Sequence, residues 1–157
     1  MLGKKKKALI IYFTKTGHTA TAAEAVARGL EAGKVETTIK PLADVDPEEL
    51  QDYSIIAVGS PTRGGKPARK VKKFLKGLPR KALKGKKAAA FSAYAGMRGK
   101  STVRHLRKLL KKKKAKTPVK GVAVKAGAPL SLWKGPDPTE KSIARLEELG
   151  RTLAKKA

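Results

Sequence analysis

The chain of 157 residues contains no cysteine, which removes disulfides, zinc–thiolate centres and thiol nucleophiles together. It has no asparagine and a single glutamine, Gln51. No apolar run approaches the ~20 residues of a membrane-spanning helix, and the lysines at 4–7 precede only a short strand-like segment. A soluble, cytoplasmic protein is the expectation. Aromatic residues make up 4% of the chain, too few to build the stacking platforms that single-stranded nucleic acid uses. The sharpest gap is in negative charge. No Asp or Glu occurs between Tyr53 and Gly135, whereas 25 of the 38 basic residues fall there. The remaining 13 bases and 12 acids nearly balance, so this middle stretch holds almost the whole net charge of +26. Such asymmetry points to a polyanion or membrane-surface partner. Loss of Asn, Gln and Cys suits a thermophile, but thermophiles enrich glutamate together with lysine. Lysine without glutamate reads rather as deliberate surface supercharging, the mark of an engineered chain.

What is present is a regular alternation. The run "KALIIYF" (7–13) is β-rich and apolar throughout, as in a strand buried on both faces. Ala23, Val26, Ala27 and Leu30 then recur at helical spacing, with Gly33 as a stop. "KVETTIKPL" (34–42) alternates like an edge strand, and Asp46 caps a brief helix that opens with Pro47. "YSIIAVGS" (53–60) is a second fully apolar strand, followed by the turn "PTRGGKP" and a helix striped by Val71, Phe74, Leu75 and Leu78. "KKAAAFSAYA" (86–95) and "VKGVAVKA" (119–126) supply two more strands, with a helix carrying Val103, Leu106 and Leu110 between them. A long loop at 127–138 leads to a closing helix from about Thr139, with Ile143, Leu146, Leu149 and Leu153 on one face.

This pattern predicts an α/β fold: a doubly wound five-stranded parallel sheet, order 2-1-3-4-5, in one domain spanning residues 1–157. In that order the first and last helices cover one face. The two lysine-loaded helices cover the other, where they would form a cationic wall.

In such a sheet, ligands sit beyond the carboxyl ends of the strands, where strand order reverses. "TKTGHT" (14–19) lies there, between the central strand and a helix N-terminus. Unpaired N–H groups and the helix dipole favour an anion at that point. The hydroxyls of Thr14, Thr16 and Thr19 add donors, and Gly17 permits close backbone approach. The turn has the makings of a phosphate cup. If Thr19 only capped the helix and Gly17 only turned the chain, one hydroxyl would suffice.

"TKTGHT" after a buried first strand resembles the FMN phosphate loop of the flavodoxins, written T/S-x-T-G-x-T. The likeness continues in order: "VGSPTRGGKP" (58–67) is similar to the family's second flavin loop, and "FSAYAGMRGK" (91–100) stands where the third belongs. The closing "DPTEKSIARLEELGRTLAKK" resembles the family's last helix. Nearly the whole chain is covered, in the short form without an insertion in the fifth strand. The resemblance implies a noncovalent FMN electron carrier. It gives Thr14, Lys15, Thr16, Gly17, His18 and Thr19 to the phosphate, and Pro61, Thr62, Arg63 and Gly64 to the border of the isoalloxazine. Ser92, Ala93, Tyr94 and Gly96 go to the pyrimidine side, with Tyr94 as a stacking partner. Trp133 is expected to anchor its loop rather than touch the flavin. No catalytic residue or metal is implied, because the cofactor carries one-electron chemistry.

Two departures matter. Arg63 stands where the family often has an aromatic, and His18 where Asn is frequent; His18 and His105 are expected to be solvent-facing or capping residues. The second departure is charge, since flavodoxins are typically acidic. Here Lys15, Arg63, Lys66 and Arg98 would surround the flavin. One cation ~7 Å away at an effective dielectric of ~20 contributes roughly 2 kcal/mol before screening, or about 90 mV upward for the second electron. Acidic redox partners and, at low salt, nonspecific nucleic acid are the expected company. A cationic scaffold of this fold that binds polyanions without redox function is the alternative. "YAGMRGKST" (94–102) is not read as a triphosphate loop: Tyr94 stands where that pattern needs glycine, and no nearby carboxylate exists to hold magnesium.

Overall fold

The computed structural model describes residues 6–15, 17–95, 98–126 and 138–157. Strand β1 (Lys7–Tyr12) lies in the interior of a sheet because Ala8, Leu9, Ile10 and Ile11 have no polar side to offer water. Helix α1 (His18–Ala32) returns the chain to edge strand β2 (Glu36–Pro41). Asp46 then caps a 3₁₀ segment (Pro47–Asp52), its carboxylate accepting from the Glu48 N–H at 3.0 Å. Strand β3 (Ile55–Arg63), the short strand β4 (Lys66–Pro67) and helix α2 (Arg69–Gly77) follow. Strand β5 (Lys87–Tyr94), helix α3 (Gly99–Lys112), strand β6 (Val122–Lys125) and helix α4 (Glu140–Lys156) complete the alternation.

The sheet order is β2-β1-β3-β5-β6, with all four neighbouring pairs parallel. This is the expected doubly wound order once β4 is set aside. The segment expected to be a plain turn after Ser60 is instead a hairpin. β3 runs three residues further, and Thr62 and Arg63 pair antiparallel with Pro67 and Lys66. Gly64 and Gly65 make the two-residue connection, both with positive φ (58° and 79°), the backbone such a tight hairpin demands. The last sheet strand is shorter than 119–126, because Gly121 turns the chain with φ 89° just before Val122. The loop expected at 127–138 lies, but for its last residue, outside the described residues.

Alternate residues of each strand feed opposite faces. Ile10, Ala57 and Phe91 pack with Leu30 of α1 and Leu146 and Leu153 of α4. Leu9, Ile56 and Val58 pack with Val71 and Leu75 of α2 and Leu106 and Leu110 of α3. The helices thus divide as the sequence predicts. On the first face α1 and α4 meet backbone to backbone: a Cβ at Gly29 would strike the Glu147 carbonyl, and one at Gly150 would lie 2.7 Å from the Leu30 nitrogen. On the second face Lys113 Nζ donates to the carbonyls of Lys76 and Leu78 at 3.1 and 2.6 Å, terminating α2 with a cation at the negative end of its dipole.

Candidate functional site

Three chain segments leave the carboxyl ends of the neighbouring strands β1, β3 and β5. Strand pairing fixes their relative heights, since Tyr12 is level with Gly59, Gly59 with Phe91, and Pro61 with Ala93. Strand order reverses here, because the chain crosses from β1 to edge strand β2 before returning beside β1 as β3.

The first segment folds tightly. Thr14 Oγ1 accepts from the Gly17 N–H at 2.9 Å, and Gly17 has φ 93°, a conformation that costs a residue with a Cβ. Gly17 is itself the N-cap of α1 and brings no side chain to cap the helix. Thr19 therefore lies inside the first turn of the helix and is buried; it is not the cap. The opening amides of α1 are left to main-chain geometry, the arrangement that receives anions at helix N-termini. Thr14 keeps its hydroxyl hydrogen for donation. Lys15 is exposed, and Thr16 lies outside the described residues. His18, expected to face solvent, is 5% exposed as the first residue of α1: the turn that brings it there also tucks its ring inward.

The second and third segments are joined directly. Thr62 Oγ1 and Ser92 Oγ share a hydrogen bond of 3.0 Å between β3 and β5. Ser60, which sequence reasoning passed over, ties the hairpin down: its hydroxyl donates to the Pro61 carbonyl and accepts from the Ala68 N–H, each at 2.8 Å. The sequence signal is that Ser60 and Ser92 each follow an apolar run; that they stand level in register emerges only from the fold. Arg98, with φ 72°, lays its guanidinium side against Gly65, whose own φ of 79° is one that favours glycine. Tyr94, expected to stack on a ligand, has its ring against Gly99 at the start of α3. Pro61 and Thr62 are half-buried, Ala93 is buried, Arg63 and Gly64 are exposed, and Gly96 is outside the described residues. From the other side, Lys70 of α2 places its ammonium 5.6 Å from the centre of the Phe13 ring, directly before the first segment.

A family model described as Flavodoxin matches residues 10–132, which include all three segments. The chain belongs to the flavodoxin family. Among solved structures, it is similar to a flavodoxin from the domain Archaea, at 25% identity and a TM-score of 0.79, covering 96% of this chain and 97% of that one. A short-chain flavodoxin associated with a non-canonical PDU bacterial microcompartment shares the fold at 23% identity and a TM-score of 0.80, covering 97% and 99%. Among curated proteins, an NAD(P)H dehydrogenase (quinone) of Gluconacetobacter diazotrophicus is 34% identical over 59% of this chain and 59% of its own length. The match therefore spans little more than half of that relative. Among the described residues no helix is long and apolar enough to cross a membrane, and no cluster of His, Cys, Asp or Glu could hold a metal ion.

Across this flavodoxin-family site the charged residues in and beside the three segments, Lys15, Arg63, Lys66 and Arg98 among them, are cationic. His105, halfway along α3, is held below its ordinary 6.5 first by burial and then by Lys72, Lys76, Lys66 and Lys108. The sequence suggests plain surface for this residue, whereas the fold half-buries it beside α2.

Proposed function

We propose that this protein binds FMN noncovalently in the three segments and carries electrons one or two at a time. The observation that supports this most is the α1 N-terminus: a turn braced by Thr14, a left-handed Gly17 at the cap and no capping side chain. These features suit a phosphate monoester, which would receive the opening amides together with the hydroxyls of Thr14, Thr16 and Thr19. Lys15 adds charge attraction. Pro61, Thr62, Arg63 and Gly64 would border the ring system, and Ser92, Ala93, Tyr94 and Gly96 its pyrimidine edge. FMN supplies the redox chemistry when bound. The chain's part is to hold it, exclude water and set the electrostatic field around it.

That field is where this chain departs from an acidic flavodoxin. Lys15, Arg63, Lys66 and Arg98 favour negative charge on the ring, so the second electron is added at a higher potential. The exposed lysines of α2 and α3 support a cationic, supercharged exterior, which selects redox partners with acidic patches by complementary fields. The alternative of a charge scaffold without redox function has no independent observation in its favour.

Titration of FMN with the purified protein tests the reading. Binding quenches flavin emission, and Thr19→Val weakens it at least tenfold, the loss of a hydrogen bond to a charged group at about 1.5–3 kcal/mol. The curated relatives favour a second reading, two-electron reduction of quinones by NAD(P)H. Steady turnover of NAD(P)H with a quinone by the FMN-loaded protein would select it; reduction only through an added reductase would select the carrier.

A further inference from the structure

The α2–α3 side of the molecule carries a groove of about 630 Å³, lined by Lys76 of α2 and by Arg104, His105, Lys108 and Lys112 of α3, among others. Positions 104, 108 and 112 follow one another at four-residue intervals, so they form a row on one helix face. At 1.5 Å per residue the row is about 12 Å long. Lys76 of α2 lines the groove opposite this helix, and Lys72 of α2 and Lys66 of β4 are near enough to act on His105 through their charge. No acidic residue occurs between 53 and 135 to neutralise this array, and the ion pairs among the described residues all lie elsewhere. Arg107, at the groove's edge, is held to the protein itself, donating to the Thr117 carbonyl at 3.1 Å.

We propose that this groove is a docking surface for the phosphate backbone of double-stranded nucleic acid, bound without regard to sequence. Its composition selects that partner. A stable protein interface needs an apolar centre poor in charge, and the groove offers only Leu109, which is buried. Lasting attachment to a membrane surface adds inserted apolar side chains to the pull of the cations, and the one exposed large hydrophobic residue among the described residues is Ile39, on edge strand β2. Single strands are held by stacking, and no Phe, Tyr or Trp lines the groove. Phosphates ask only for cations at intervals, and they carry no base information. The inference stands apart from the flavin reading, since the row runs down α3 away from the three segments.

The test is fluorescence anisotropy with a labelled duplex of about 20 base pairs and arbitrary sequence, at about 50 to 300 mM salt. The intact protein is expected to give a slope of about −4 in log K against log salt. The triple variant Arg104→Gln, Lys108→Gln, Lys112→Gln should reduce that slope by about three units, one for each phosphate no longer neutralised. The control Lys141→Gln, Lys155→Gln, Lys156→Gln removes the same charge from exposed positions on α4, across the sheet, and should change the slope by less than about one unit. In the intact protein the proton affinity of His105, followed by NMR, should rise when duplex is added. Equal losses in the two triples would overturn the proposal, because attraction would then follow net charge alone. A groove triple that releases phosphatidylserine vesicles but keeps the duplex would overturn it too, as would a His105 titration that the duplex does not move. Should the groove triple fail to fold, Lys108→Gln alone decides: a slope reduced by about one supports the groove, and an unchanged slope refutes it.

Discussion

The two helical faces of the sheet have comparable apolar interiors and opposite exteriors. On one, α1 and α4 touch through Gly29 and Gly150, and acids and bases meet: Arg28 with Glu147 at 2.8 Å between the helices, and Arg151 with Glu148 at 2.9 Å within α4. On the other, α2 and α3 contain no acid, yet Val71, Leu75, Leu106 and Leu110 are packed as completely as Leu30, Leu146 and Leu153. The contrast teaches that the fold is set by the inward stripe, while the sign of the outward charge is nearly free to vary. Some cations on the second face are also structural. Lys113 ends α2, and Lys86 donates to the Tyr53 carbonyl at 2.5 Å, where burial lowers its proton affinity more than Asp52 raises it.

If the stripes alone decide stability, equivalent truncations on the two faces should cost alike. Leu106→Ala and Leu146→Ala, both fully buried, are expected to lose about 3 kcal/mol each in urea unfolding. A loss on the α2–α3 face under half that on the other would break the comparison. Gly150→Leu should also cost about 3 kcal/mol, because α4 must lift from the α1 backbone; no such penalty is predicted for Gly77, where a Cβ meets open space. Next in size is salt. Raising it from about 0.05 to about 0.5 M should stabilise the protein by about 1 kcal/mol by screening like charges, and Lys73→Glu should remove part of that dependence through pairs with Lys70 and Lys76. Glu147→Gln, which breaks the exposed pair with Arg28, should cost less than about 1 kcal/mol.

The smallest effect is pH-dependent. Burial and the surrounding lysines hold His105 below 6.5, so the unfolded chain takes up its proton first. This contribution is complete above pH 6.5 and is lost as pH falls through the lower value of the folded state. His105→Gln should flatten that part of the stability profile between about pH 7 and 5, measured in urea at fixed salt.

Much of this was legible in the sequence for definite reasons. Fully apolar runs such as 8–11 and 55–58 have one stable place, the middle of a sheet covered on both sides. Helices between them force parallel neighbours and right-handed crossovers. The segments of the candidate site were visible as "TKTGHT", "SPTRGG" and "SAYAG" at strand ends. What was hidden depends on contacts between segments distant in sequence. β4 is two residues long and contains Pro67, so no periodicity marks it, although Gly64-Gly65 is a hairpin signal in retrospect. The bond between Thr62 and Ser92 requires knowing that β3 and β5 are neighbours. The inward placement of His18 follows from the left-handed turn at Gly17, and the ring of Tyr94 settles on Gly99 because glycine there leaves the space.

The most direct measurement is a titration of FMN with the purified protein, freed of flavin at high salt, following flavin emission. Progressive quenching to an equimolar end point, weakened at least tenfold by Thr19→Val, is the predicted result. Emission that stays bright with excess folded protein would contradict a phosphate seat at the start of α1.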